Sequence, residues 1–499
     1  MALLETVRAE RLAKMERLAE AGMESYPART LRTHSIDDFL ENHGTLDKNS
    51  EQVMLAGRVM SIREHGGSLF VDIFDGIKGQ CYVQRDKLGE SQYDLFTSTV
   101  DVGDIIELAG LAFTTKRGMP SLDVTEWRML AKSLRPLPDE WFGIKDEDER
   151  FRKRYLDILL TRDLADRIRR RSKFWNVIRS YLLERDFIEV ETPVLETTTG
   201  GADARPFETH HNALDMDVYL RISAGELWQK RLMIAGLPKT FEIGRIFRNE
   251  GMSAEHAQDY TQMEFYWAYA DHLIGMELVE DLYKHVAFET FGTLKFSINS
   301  FEIDLGSPWE RYDYTQTIKK YTDIDIGTAG LGTIETKLQE LGVKFSTEGW
   351  NISRAIDTLW KHCRRQIGGP GFLVGIPKSL SPLSKSDPKN PNITERFQPI
   401  IAGSELGNGY SELNDPIDQA DRFAEQAKLR EAGDEEAQMY DHEFVEALEY
   451  GMPPVVGFGV SERLFSFLEG VSIREGQIFP LLRPKVLRPF VSDTVKVED

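Results

Sequence analysis

The spacing of apolar and polar positions changes along the chain, and each change predicts a different element. Residues 4–21 place apolar side chains at helical spacing among charges, which predicts an amphipathic N-terminal helix ending near Gly22. From 53 to 130 the period becomes two, in VMLAGRVMSI, SLFVDIFD, GQCYVQR, DIIELAGLAFTT and SLDVTEWRML. Five short strands separated by Gly- and Asp-bearing turns predict a small closed barrel of the oligonucleotide-binding kind. The Pro-rich stretch LRPLPDEWFG (134–143) reads as a linker. After it comes a long helix with Phe174, Val177, Ile178, Tyr181 and Leu182 at helical spacing, then the strand FIEVETPVL. The remainder alternates strands and helices without a repeat.

Two strand-like runs, TFEIGRIF (240–247) and DYTQMEFYWAYA (259–270), flank FRNEG (247–251) and place charge where a core wants apolar side chains. In the second run Met263, Phe265 and Trp267 share one face, while Tyr260, Gln262, Glu264 and Tyr266 share the other. In the first, Arg248 and Glu250 fall on the same face as Glu242. The loop between the runs is short enough to make them antiparallel neighbours, so their polar faces form one concave floor carrying both signs of charge.

A third segment, ERFQPIIAGSELGNGYSELND (395–415), adds to that floor. With a turn at Gly403-Ser404, its second strand points Asn408, Tyr410 and Glu412 in one direction. Acids suit an ammonium and aromatic walls suit an aliphatic stem, so the set fits an elongated cation; the alternative is a sheet edge blunted by charge. GFGVSERLFSFLEG (457–470) predicts a Gly-rich strand end and a helix with Ser461 near its start and Arg463 in its first turn, a phosphate-friendly arrangement. In the barrel, Phe70 lies on the polar face of its strand, and Gln80 and Tyr82 share a polar face on the next. Phe70 is there a candidate base-stacking platform, with packing under a loop as the alternative.

Composition adjusts this picture in few places. The 499 residues, 41% hydrophobic, can bury a large core and favour two or three domains. A net charge of -21 argues against a generally basic nucleic-acid binder, yet RFRKRYLDILLTRDLADRIRRRSK (150–173) is a local basic stripe, its bland reading a solvated helix face. No apolar run approaches the length of a membrane span, and acids stand where a signal peptide has its basic end, so a cytoplasmic protein is expected. Cys81 and Cys363, far apart, make neither a disulfide framework nor a metal motif and are expected to be buried thiols.

With these residues in place the chain resembles the class II lysyl-tRNA synthetases over about residues 5 to 487. FIEVETPVL looks like the first motif of that class, FRNEG and the run to Glu264 like the second, and GVSERLFSFL like the third. GGADARPF (200–207) and LGNGYSELNDP (406–416) are similar to stretches of the lysine enzymes in particular. The resemblance implies an α+β fold: an antiparallel class II sheet with flanking helices, preceded by an OB-fold barrel. It implies an N-terminal helix over 1–30, the anticodon-binding barrel over 31–138, a linker over 139–150 and the catalytic domain over 151–499. It also implies a homodimer acting on L-lysine, ATP with Mg2+, and tRNA(Lys).

By the same resemblance Arg248 would bridge the lysine carboxylate and the α-phosphate, and Arg463 and His256 would hold the outer phosphates. Arg463 would also cover the adenine from one side, with Tyr260 stacked on the other and Glu250 accepting from the adenine amino group. Gly201 and Glu226 would take the α-ammonium, Asn408 the carboxylate, Tyr410 the stem, and Glu264, Tyr266 and Glu412 the ε-ammonium. Glu405 would bind the metal, and Arg58, Phe70, Gln80 and Glu126 would read the anticodon. The chain departs from the family pattern by one residue before Glu226, by one residue in the third motif, and at Gln398, where a second metal-binding Glu is usual. Two rivals are a relative that aminoacylates something other than tRNA, which typically lacks the barrel, and an inactive RNA-binding derivative, which would be expected to lose Arg248, Glu250 or Arg463; the chain has the barrel pattern and all three residues.

Overall fold

Strands form where the alternation predicts them, because each alternating run can bury one face only by pairing edge to edge with its neighbours. The computed structural model describes residues 2–138, 146–251, 253, 256–345 and 350–485, and its contacts divide the chain into two units, residues 1–160 and 161–499. Of the expected linker, residues 139–145 lie outside the described residues, and Glu147–Arg152 forms a short helix capped by the Asp146 carboxylate.

In the first unit β1 (Gln52–His65), β2 (Ser68–Phe74), β3 (Lys78–Gln84), β4 (Ile105–Thr114) and β5 (Pro120–Ala131) close into a barrel in the order β1-β2-β3-β5-β4. Its interior takes one face of each strand, among them Leu55, Val71, Ile73, Val83, Leu108 and Val124, all fully buried. The helix Ala2–Glu20 forms as expected but is not anchored by an apolar stripe alone. Its buried face carries Arg11 beside Leu18, and Arg11 donates to the carbonyls of Ser133 at 2.8 Å, Arg135 at 3.1 Å and Val102 at 3.1 Å. Loop carbonyls at the barrel end need donors, and a guanidinium supplies several at once.

The second unit is built on a nine-stranded sheet. Its strands are β6 (Ile188–Glu189), β7 (Lys239–Phe247), β8 (Asp259–Ala268), β9 (Glu310–Asp313), β10 (Gly371–Val374), β11 (Arg396–Ile401), β12 (Ser404–Glu405), β13 (Asn408–Ser411) and β14 (Val455–Ser461). They run in the order β9-β10-β11-β13-β14-β8-β7-β6, with β12 paired to β11. All pairings are antiparallel except β9 with β10 and β6 with β7. One face of this sheet, through Phe241, Met263, Phe265, Phe397 and Phe458, packs with the helices Arg162–Leu183 and His272–Phe291 into the main core. The second helix begins where the Asp271 carboxylate accepts from the amides of Leu273 and Ile274, and it ends at Gly292 in the left-handed conformation.

The basic stripe is a strut. Arg167 pairs with Glu469 at 3.3 Å, Arg170 pairs with the same carboxylate, and Arg171 pairs with buried Glu462. Three of its guanidinia thus tie the long helix to the segment around the helix Arg463–Leu468, and the expectation of a solvated or RNA-facing stripe does not hold for them. The periodicity gives no hint of this, because the partner acids lie some 290 to 300 positions away in sequence.

Candidate active site

The face of the sheet opposite the main core holds a cavity of about 380 Å³. Three strands build its floor in a fixed register, with β14 between β8 and β13. Glu264 of β8 lies across from Gly459 of β14, which lies across from Asn408 of β13. One step along, Tyr266, Gly457 and Tyr410 form the next row. Gly457 is a spatial requirement, since a Cβ there would come within 2.1 Å of a Glu412 oxygen and 2.6 Å of the Tyr266 ring; at Gly459 a Cβ would meet the Glu264 side chain at 3.2 Å, a tight contact. Long side chains on the outer strands lean over a central strand that has none there.

The expected residues of the second unit all line this cavity: Gly201, Glu226, Arg248, Glu250, His256, Tyr260, Glu264 and Tyr266 from its first half, and Glu405, Asn408, Tyr410, Glu412 and Arg463 from its second. Glu242 does not join them. It pairs directly with Glu264 and so lies on the same side of the sheet, but it is buried against Arg221 and Thr192, which keep it out of the cavity. Gln398 sits in β11 opposite Leu373 and does not line the cavity.

Within the cavity the acids are held rather than merely present. Glu264 accepts from the Ala224 amide at 2.7 Å and Gln262 at 2.5 Å with one oxygen, and from the Tyr266 hydroxyl at 2.9 Å with the other. Glu226 accepts from the Tyr410 hydroxyl at 2.5 Å and from Lys230 at 2.7 Å, both on one oxygen. Lys230 also forms a 2.5 Å ion pair with Glu412. Sequence reasoning passed over Lys230, although its position four residues after Glu226 on the helix Glu226–Ile234 is a readable i,i+4 signal.

Burial dominates the electrostatics here. It pushes the Glu264 carboxyl up to about 7, with Glu226 adding to the effect and the hydrogen bonds from Ala224, Tyr266 and Gln262 opposing it. Glu412 is likewise raised, by burial first and then by Glu226, in spite of Lys230. Burial would pull Lys230 down, but Glu226 and Glu412 overcome it and hold the ammonium above the usual lysine range. Burial also raises the hydroxyls of Tyr266 and Tyr410, which stay donors.

Another part of the lining carries the cations. Arg248 donates from Nε to the Ile222 carbonyl at 3.2 Å and lies 5.8 Å from the Tyr260 ring centre. Arg463 opens its helix at the end of β14 and reaches the Glu405 carbonyl at 3.3 Å. His256 meets the Ser253 hydroxyl at 2.7 Å through Nδ1. Arg396, not foreseen, donates to the Asn408 side-chain oxygen at 2.7 Å, which fixes that amide with its NH2 group left to donate. Gly201 has φ of 87° and packs so closely on the start of the Glu226 helix that a Cβ would come within 2.8 Å of Glu226 Cβ.

Glu405 accepts from the Trp360 indole at 2.5 Å and lies 3.8 Å from Arg364. Among the described residues no group of three or more His, Cys, Asp or Glu side chains could hold a metal ion by itself. A single carboxylate fits a magnesium ion whose other ligands are phosphate oxygens and water, and does not fit an all-protein cage.

In the barrel the expected readers are only partly gathered. Phe70 stacks on Tyr82 at 4.6 Å, and Gln80, on the next row of that face, accepts from Ser121 at 3.0 Å. Arg58 lies on the row of Phe74, with its guanidinium on the Gly103 carbonyl at 2.7 Å, and Glu126 is exposed on β5 opposite Ala109.

Comparison with known proteins gives the family. The family model described as tRNA synthetases class II (D, K and N) matches residues 146–483, and the one described as OB-fold nucleic acid binding domain matches 53–130. The chain is 43% identical to the lysine–tRNA ligase of Thermotoga sp. strain RQ2 over 490 residues, 97% of each chain. It is 41% identical to that of Roseiflexus castenholzii over 97% of this chain and 99% of the relative, and 43% identical to that of Moorella thermoacetica over 96% and 98%.

The buried acids set a pH dependence of stability. Because folding raises the Glu264 carboxyl from 4.5 to about 7, the folded chain keeps a proton that the unfolded chain gives up in that window. Its contribution is therefore fully present below pH ~4.5 and lost as pH rises through ~7. Melting temperatures measured across this range should fall less steeply for Glu264→Gln than for the wild type; parallel curves would contradict the shift.

Proposed function

The chain belongs to the class II tRNA synthetases of the aspartate, lysine and asparagine group, and from that premise we propose that it activates lysine with ATP and transfers it to tRNA(Lys). The observation that carries the choice of lysine is the set of buried carboxylates, Glu226, Glu264 and Glu412, walled by Tyr266 and Tyr410 and set in the same cavity as Arg248 and Arg463. Acids at one part of a cavity and guanidinia at another suit a diammonium amino acid whose carboxylate meets a phosphate.

In the first step the lysine carboxylate attacks the α-phosphorus of ATP, giving lysyl-adenylate and releasing pyrophosphate. The chemistry asks the protein for alignment and for neutralisation of two anions brought together. Arg248, its Nε fixed on Ile222, would present its remaining N–H groups to the carboxylate and the α-phosphate. Arg463 and His256 would hold the outer phosphates, Tyr260 and Arg463 would sandwich the adenine, and Glu250 would accept from its amino group. Magnesium supplies charge neutralisation on the phosphates when bound. Glu405, oriented by Trp360, is the residue that would hold it.

Glu226 and the backbone at Gly201 would take the α-ammonium, and the Asn408 amide, fixed by Arg396, would donate to the carboxylate. Glu264, Tyr266 and Glu412 would receive the ε-ammonium along the wall of Tyr410. A shorter or neutral side chain leaves a buried acid without its partner, a loss of about 1–3 kcal/mol or more. In the second step a terminal ribose hydroxyl of the tRNA takes the lysyl group and adenylate leaves. Phe70 on Tyr82 offers a stacking surface for an anticodon base, with Arg58, Gln80 and Glu126 as further readers.

A homodimer through the first motif is supported by Ile188, Val194 and Leu195, all more than two-fifths exposed. A cytoplasmic setting is supported by the two free, buried cysteines.

ATP–pyrophosphate exchange with each of the twenty amino acids tests the activity, and it should require lysine; exchange driven by aspartate or asparagine would refute the proposal. Phe70→Ala should leave that exchange intact while lowering kcat/KM for tRNA roughly 5- to 150-fold, the equivalent of about 1–3 kcal/mol. Unchanged tRNA charging would return Phe70 to a packing role.

A further inference from the structure

The proposed lysine contacts leave one charged group in the acidic cluster without a role. Lys230 is fully buried, with its ammonium between Glu226, at 2.7 Å from its own helix, and Glu412, at 2.5 Å from the end of β13. The other groups facing it are Tyr410, whose ring centre is 5.6 Å away, and Phe444, at 5.8 Å from the helix His442–Glu449. The adjoining strand β8 adds Glu264 and Tyr266 to the cluster. The neighbouring arginine, Arg231, pairs outside the cavity with Asp441.

We propose that Lys230 is a specificity-determining positioning residue: a built-in ammonium that fixes Glu226 and Glu412 and sets the charge of the pocket to match an amino acid with two ammonium groups. The inference rests on the lysine reading above.

The charge count supports it. Glu226, Glu264 and Glu412, ionised, carry three negative charges, and Lys230 leaves two of them uncompensated. Lysine brings two ammonium groups, and its carboxylate is matched by Arg248. An amino acid with one ammonium leaves a buried negative charge unpaired, which is costly where water is excluded. Without Lys230 the pocket would hold one acid too many for lysine, and Glu226 and Glu412 would lose the cation that keeps them a fixed distance apart. Both acids touch Lys230 through one oxygen each, so their second oxygens are not used by it.

A purely structural role would also explain a buried ion pair, and the two differ in what they move. Lys230→Met, close in shape and uncharged, should raise the KM for lysine in exchange at least about tenfold while the KM for ATP stays within about twofold. Lys230→Ala should regain lysine-dependent exchange on addition of n-propylammonium and not of n-propanol. A folded Lys230→Met variant with wild-type lysine KM, an equal loss in the parameters for lysine and ATP, or equal rescue by the alcohol would overturn the proposal. So would failure of both variants to fold, which would assign Lys230 to the fold alone. Wild-type protein without lysine-dependent exchange would instead refute the underlying reading, so the two failures are distinguishable.

Discussion

Three carboxylates held out of water around a single internal ammonium are the constraint on which the active site depends. Burying an acid costs far more than most single contacts return unless the charge is paired or hydrogen-bonded. Glu264 meets this through the Ala224 amide, Gln262 and Tyr266, and Glu226 and Glu412 meet it in part through Lys230 and Tyr410. The pairing is incomplete by design of the charge count, and burial accordingly raises the carboxyls of Glu264 and Glu412. On the proposed reading, a ligand with two ammonium groups completes it. Substrate choice and local instability are thus two consequences of one arrangement.

The sheet exists in a form that permits this. Two strands carrying long polar side chains, β8 and β13, flank β14, whose Gly457 and Gly459 leave the floor open between them. The opposite face of the sheet, with Phe265 of β8, Phe458 of β14 and Phe397 of neighbouring β11, is buried in the main core and fixes the register. Period-two alternation therefore does two jobs: a slip of one residue would turn the acids into the core and the phenylalanines into the cavity. The arginine strut from Arg167, Arg170 and Arg171 to Glu469 and Glu462 holds the end of β14 and the helix that presents Arg463.

Much of this was legible in the sequence, because alternation reports which residues share a face. The grouping of Glu264 with Tyr266, and of Asn408 with Tyr410 and Glu412, follows from it and is what the cavity lining contains. Alternation puts Glu242 on the face of Glu264, where it is, but says nothing of Arg221 and Thr192, which cover it and keep it out of the cavity. It also says nothing of partners distant in sequence, so the basic stripe looked solvated and Arg396 went unnoticed. Lys230 was readable from its i,i+4 spacing to Glu226, but a lysine on a helix is ordinarily at the surface, and only the packing shows it buried. The Gly-rich end of β14 suggests anion binding from its sequence; the structure adds that Gly457 leaves room for Glu412 and Tyr266.

The most direct test of the charge account is calorimetry of lysine binding near pH 7 in two buffers of different ionisation enthalpy. With the Glu264 carboxyl raised to about 7, the empty cavity is partly protonated there near that pH, and incoming ammonium groups displace the proton. The observed heat should differ between the buffers in the sense of proton release, by roughly half a proton per lysine. Identical heats, or heats indicating proton uptake, would contradict it.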